Sequence, residues 1–212
     1  MKKIVLLFVL INFLSIEVWG QDTIYIHKVG GQVVKFPTTQ VDSITFYQDT
    51  TPQLQIGDSY QGGIIAYILQ PWDIGYDPLV QHGIIAAPFD MSTTKRWDSN
   101  TTLVNTLAFQ TQIGYGAENT DSIVSVIGVG NHAAFACQSY IYAGYNDWYL
   151  PSLDELQALY NKKTIIGGFT NNWYWTSCEL NSTFAHCINF GNGTPATQGK
   201  SVSYYVRAIR YF

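Results

Sequence analysis

Three carboxylates crowd one short stretch of the chain: Asp147, Asp154 and Glu155. A pair of carboxylates at the right separation can cleave a glycosidic bond, one as acid and one as base or nucleophile. The local pattern assigns two of these three other work. Ser152 and Glu155 stand in the S-x-x-E relation of a capping box. In that arrangement the serine oxygen accepts from an orphan backbone N–H, and the glutamate reaches back to the serine N–H. Asp154 falls in the first helical turn, where the helix dipole favours negative charge. No G-x-S-x-G elbow, H-E-x-x-H pair or phosphate-cradling glycine loop occurs elsewhere. No residue is therefore assigned to catalysis.

A second group suits recognition. Trp173, Glu179, Asn181, Thr183, His186 and Asn192, with Asn171, Asn172 and Tyr174 beside them, mix aromatic faces with amides and hydroxyls. Rings stack on apolar faces of sugars or proteins while amides bond to hydroxyls, so the expected partner is a glycan or an extracellular protein. The plainer reading makes the tryptophans core and the asparagines turn formers. Strand alternation puts Trp173 and Trp175 on one face and Tyr174 and Thr176 on the other. Trp175 is assigned to the core and Trp173 to the surface.

Metal and redox chemistry are poorly served. Calcium needs several carboxylate and amide oxygens converging on one ion, and no such loop is evident. Cys137, Cys178 and Cys187 show no C-x-x-C spacing, so zinc is not expected. No metal or cofactor is assigned. Cys178 and Cys187 lie symmetrically about Asn181-Ser182-Thr183-Phe184, like cross-strand neighbours of a hairpin. A disulfide there would close a loop of about ten residues and stabilise by roughly 2–3 kcal/mol. Cys137 is then a buried free thiol, and its pairing with either of the others is the competing arrangement.

The elements that must position these groups follow from periodicity. Leu153, Leu156, Leu159 and Tyr160 recur at helical spacing behind the capping box, giving a helix over 152–162. A second helix is expected over 131–142. The stretch 111–130 is ambiguous, because Gly128 and Gly130 interrupt a helix that would begin at Asp121. Residues 64–69, 83–87, 173–179, 184–190 and 201–211 read as strands, and 71–78 and 90–102 as loops. Arg207 and Arg210 differ by an odd number, so a regular strand points them to opposite faces. One of them is expected to be buried and paired with Asp147 or Glu179. Nearer the N-terminus, Ile24, Ile26, Val34 and Phe36 alternate with polar residues around Gly30-Gly31, the signature of a hairpin. Val41, Ile44 and Phe46 would add a third strand.

Several short motifs recur in a telling order: Tyr60-Gln61-Gly62-Gly63-Ile64 with Tyr67, Gly83 to Pro88, Trp97, Gly144 to Tyr160, Tyr174 to Ser177, and Val206 to Arg210. This order resembles the Lcl C-terminal domain-like family, a bacterial domain of unknown function named after a collagen-like adhesin. The resemblance runs over 57–212. It implies an α+β, C-type-lectin-like fold with two helices and a twisted antiparallel sheet, and a late, ligand-facing stretch. The leucine-proline-serine turn into a helix is also similar to the formylglycine-generating sulfatase-modifying enzymes. Those enzymes use cysteines near the end of the fold, and Val206 to Arg210 carries none. Fold analogy implies architecture more securely than activity.

Residues 1–20 read as a secretory signal peptide: Lys2-Lys3, an apolar run from Ile4 to Leu14, and a Val18-Trp19-Gly20 exit. Residues 21–47 then form a small β segment, 48–56 a linker, and 57–212 the main domain. Removing residues 1–20 takes Lys2, Lys3 and Glu17 from totals of 11 basic and 15 acidic residues, leaving nine against fourteen and a net charge of −5. That balance disfavours nucleic acid, whose phosphates demand a basic stripe. With 12% charged and 15% aromatic residues, the composition fits a compact, β-rich secreted or surface-located domain. No membrane span is expected after the signal. The expected role is adhesion or recognition. An enzyme of the sulfatase-modifying type and a purely structural part of a surface assembly are the alternatives.

Overall fold

The computed structural model describes residues 4–6, 15–18, 23–27, 31–37, 53–100 and 103–212. The chain divides into two units, Met1–Thr51 and Pro52–Phe212. In the first, β1 (Ile4–Leu6), β2 (Ser15–Val18), β3 (Thr23–His27) and β4 (Val33–Pro37) form an antiparallel sheet in that order. The expected hairpin is β3–β4, with Ile24 opposite Phe36 and Ile26 opposite Val34. The expected third strand over 41–46 and most of the linker lie outside the described residues, and β1 and β2 fall within the segment read as an export signal.

The second unit is α+β. Its first sheet has the order β13-β7-β6-β5, all antiparallel, from β5 (Ser59–Tyr60), β6 (Gly63–Ile68), β7 (Gly83–Ala86) and β13 (Ile209–Tyr211). Its second has the order β11-β10-β9-β12-β8, from β8 (Ser92–Arg96), β9 (Trp173–Glu179), β10 (Phe184–Asn189), β11 (Pro195–Gly199) and β12 (Ser203–Val206). Only β9 and β12 run parallel in that sheet. Four helices accompany the sheets among the described residues: α1 (Gly116–Ile127), α2 (Ala133–Gln138), α3 (Leu153–Asn161) and α4 (Lys163–Ile166).

Two helices were expected, so α1 and α4 are corrections. Helix α1 starts five residues before Asp121 and stops at Gly128, whose φ of +85° ends the helical hydrogen-bonding run. Helix α2 is shorter than expected and is capped by the His132 ring, which accepts from the Phe135 N–H. Helix α3 carries both bonds of the capping box. Strand β8 replaces part of an expected loop. The single strand expected over 201–211 is two strands in different sheets, and the chain crosses between them at Arg207-Ala208.

The core is built on three indoles, Trp97, Trp148 and Trp175, all fully buried. Each N–H finds a carbonyl: Trp97 donates to Thr176 at 2.8 Å, Trp175 to Lys95 at 3.0 Å and Trp148 to Tyr145 at 3.2 Å. A buried indole left unpaired would lose much of what its burial gains. Trp175 is thus core, as its place in the Tyr174 to Ser177 motif implied.

Candidate recognition surface

Strand β9 is buried on both faces from Tyr174 to Glu179, so its two ends are what it offers to solvent. At the first end, Trp173 is half-buried, its ring 6.0 Å from that of Tyr204. Asn171 and Asn172 are exposed just before it, and the Asn172 side chain accepts from the Trp173 N–H at 2.9 Å. Asn189 lies opposite Trp173 in register, and the β10–β11 turn follows with Asn192, which accepts from the Thr194 N–H at 3.0 Å. Trp173, Asn171, Asn172 and Asn192 therefore share one end of the sheet.

The remaining candidates do not join them. Asn181 and Thr183 are exposed in the β9–β10 turn, at the opposite end of β9. Asn181 there accepts from the N–H groups of Thr183 and Phe184 at 2.8 and 2.9 Å. Strands rise ~3.3 Å per residue, so the two ends are about 20 Å apart. His186 sits midway on β10 opposite Thr197, half-buried, and burial pushes its imidazole below the usual histidine range.

Glu179 is a correction to the expected site. Its side chain is wholly buried and bonds the Lys200 ammonium at 2.6 Å, while its other oxygen accepts from the N–H groups of Thr106 and Leu107 at 2.8 and 2.6 Å. It cannot meet a ligand. The disulfide is a second correction, because Cys178 and Cys187 are free and buried. A bulge between Ala185 and Cys187 shifts the register and sets Cys187 opposite Trp175. Cys178 instead donates to the Gln110 carbonyl at 3.0 Å and accepts from the Leu153 N–H at 3.2 Å. Burial pushes its thiol up to about 12. Cys137 is also free and buried.

Sequence reasoning missed most of the electrostatic frame. Arg207, fully buried, bonds Asp90 through Nε at 2.8 Å and the Ala87 carbonyl at 3.0 Å, with its guanidinium 4.0 Å over the Phe169 ring. That side chain closes the gap where the chain leaves one sheet for the other. Arg210 points elsewhere and grips both oxygens of Asp147 at 2.6 and 2.7 Å, the arginine–Asp147 pairing expected above. It also donates to Gln61 at 2.7 Å and stacks 4.1 Å over Tyr145. Neither Lys200 nor Asp90 carries a local sequence signal of its role.

The Arg210 hydrogen bonds hold the Asp147 carboxyl below the usual carboxylate range, against a smaller opposing effect of burial. A depressed folded value means that this pair stabilises above the ordinary value of 3.8 and loses its effect as pH falls through the folded value. The Asp147 side chain is 53% exposed, so solvent screening limits the contribution to under ~1 kcal/mol. Asp147→Asn is expected to lower the urea midpoint slightly at neutral pH. The wild-type and variant midpoints should then converge below pH 3.8.

Residues 88–210 match the family model described as the Lcl C-terminal domain. The matched span omits the early motifs at 60–67 and most of 83–88. No curated protein matches the chain. Among solved structures, the chain is similar to a fimbrial protein from Bacteroides ovatus ATCC 8483, with a TM-score of 0.54 at 15% identity. That likeness covers 88% of this chain and 56% of the other, and at this identity it speaks for the fold alone.

Proposed function

We propose that this chain, which belongs to the Lcl C-terminal domain family, is an exported, non-catalytic recognition module that contacts a glycan or an extracellular protein. The observation that carries the reading is the end of the second sheet where half-buried Trp173 stands among exposed Asn171, Asn172 and Asn192. Trp173 opens a strand buried on both faces, which fixes its backbone, so little backbone ordering entropy opposes binding there. Amides flanking an aromatic edge suit a sugar ring, whose apolar face stacks while its hydroxyls exchange hydrogen bonds. The turn bearing Asn181 and Thr183 is a separate surface and has no aromatic partner of this kind.

The ionisable groups of the domain support a non-catalytic reading. Glu179 is committed to Lys200, Asp90 to Arg207, Asp147 to Arg210, and Glu155 to backbone N–H groups and Tyr211. Burial pushes the Cys137 thiol well up, which disfavours it as a nucleophile. The finer reading of the fold is a C-type-lectin-like variant, with residues 1–20 removed on export. Among the described residues, no helix is long and apolar enough to cross a membrane. A second reading, a structural subunit of a surface assembly, draws on the likeness of fold to a fimbrial protein.

A glycan array probed with wild type and Trp173→Ala separates these readings. Recognition through Trp173 predicts at least ~10-fold weaker binding by the variant, since a buried aromatic anchor commonly carries more than 1.4 kcal/mol. Equal binding by both proteins, or no bound glycan or matrix protein at all, defeats this surface as the ligand site.

A further inference from the structure

The β6–β7 connection, residues 69–82, inverts the usual arrangement of a surface loop. Most of its polar side chains are tied to the protein by hydrogen bonds. The Asp73 carboxylate accepts from the Gln70 N–H at 2.7 Å and the Tyr67 hydroxyl at 2.9 Å, and Asp77 accepts from the Leu79 N–H at 2.8 Å. Gln81 brackets Leu54, accepting from its N–H and donating to its carbonyl, both at 2.9 Å. The Leu69 N–H bonds the His82 carbonyl, and the His82 ring lies 3.0 Å from the Phe212 carbonyl. The loop is thereby fixed at its base and along its length.

Its apolar side chains, by contrast, face out. Trp72 is 78% exposed and Leu79 88%, and Ile74, Tyr76 and Val80 are exposed with them. Isolated exposed apolar residues are ordinary, but a contiguous patch held in a rigid loop marks an interaction site. Tryptophan and tyrosine are the residues that most often anchor protein interfaces. The β6–β7 loop contains no lysine or arginine to draw it to anionic lipid or phosphate.

We propose that this loop pairs two copies of the chain. A two-fold contact requires a surface complementary to itself, and this patch carries projections and recesses together. One groove, of about 280 Å³, lies between Ile74, Gly114, Tyr211 and Phe212. Another, of about 180 Å³, lies between Ile68, Tyr76 and Leu79. Trp72 and Leu79 of one copy supply side chains to fill the recesses of the other. The five exposed side chains present on the order of 600 Å², close to the ~800 Å² that each partner contributes to a standard interface. Both aspartates of the loop already hold hydrogen-bond donors from the same chain, so pairing leaves neither without a partner. The contact is independent of the surface around Trp173.

Sedimentation velocity over a concentration series tests this pairing. Wild type should move from monomer to dimer with rising concentration. Trp72→Ser and Leu79→Ser should each weaken association by at least ~10-fold without changing the thermal midpoint, because both side chains are exposed. Leu180→Ser, exposed in the β9–β10 turn, should leave the dimer intact. A wild type that stays monomeric at the highest soluble concentration overturns the proposal. So does a dimer insensitive to Trp72→Ser and Leu79→Ser, one equally sensitive to Leu180→Ser, or a monomer whose loop binds phosphatidylcholine vesicles instead.

Discussion

Lys200→Met is expected to lower the unfolding free energy by about 3–5 kcal/mol, the range for removing one partner of a buried ion pair. Lys200 and Glu179 are both wholly inaccessible and 2.6 Å apart. The ammonium also donates to the Val104 carbonyl at 2.9 Å and lies 4.3 Å over the Trp97 ring. Without it, the Glu179 carboxylate stays buried with only the N–H groups of Thr106 and Leu107 to compensate it. Methionine nearly preserves the volume, so the loss reports charge rather than a cavity.

The pair also fixes backbone. Leu107 sits at φ +63°, a conformation unfavourable for leucine, and its N–H is held by Glu179. The Glu179 N–H in turn donates to the Ala108 carbonyl at 2.8 Å. Lys200→Met should therefore also expose residues 103–108 to limited proteolysis before the domain unfolds globally. Pairing it with Glu179→Gln should cost less than the sum of the two single changes, since the double variant buries no unmatched charge. Urea unfolding with unchanged m-values measures both statements. A loss below 1 kcal/mol for Lys200→Met would show that water reaches the pair.

The fold was legible wherever a local rule sufficed. The capping box at Ser152 and Glu155, the short motif that held Trp175, and the β3–β4 hairpin all depend on residues close in sequence. Features set by distant packing were not legible. Strand β8, Ser-Thr-Thr-Lys-Arg, has no apolar alternation and exists because β12 pairs with it. Helix α1 opens on Gly116, a poor helix former. A Cβ there would lie 2.1 Å from Glu155 Oε2, so packing dictates the glycine. The expected disulfide failed through register: Ala185 pairs with Glu179 next to the turn and, past a bulge, Cys187 with Trp175, so the two cysteines never stand opposite each other. The candidate site was read from a run of sequence, but a hairpin brings the ends of that run, Trp173 and Asn192, together and sends its middle, Asn181 and Thr183, to the far end. Glu179, with the composition of a ligand residue, was claimed by a lysine twenty-one positions later.

Glu155→Ala is expected to cost about 3 kcal/mol or more, because it orphans several buried donors as well as removing a helix cap. Glu155 is fully buried and has no cation beside it. Its oxygens accept from the Tyr211 hydroxyl at 2.6 Å, the Gly114 N–H at 3.0 Å and the Ser152 N–H at 2.7 Å. The side chain thus ties the loop before α1, the start of α3 and the last strand to one point. Burial raises its carboxyl above the ordinary value of 4.5, and the hydrogen bonds only partly offset this. The folded state then binds the proton more readily than the unfolded chain, so this residue stabilises most below pH 4.5 and progressively less as pH rises through the folded value. Glu155→Gln separates that effect from the cap. It keeps an acceptor for Tyr211 and Gly114 but turns an amide N–H toward the Ser152 N–H, costing roughly 1–3 kcal/mol. Urea unfolding from pH 4 to 8 should show the wild-type advantage over Glu155→Gln shrinking steadily with pH, since all other titrating groups are common to both proteins. An advantage that grew with pH would mean that the surrounding donors outweigh burial and that Glu155 sits in the fold as a stabilised anion.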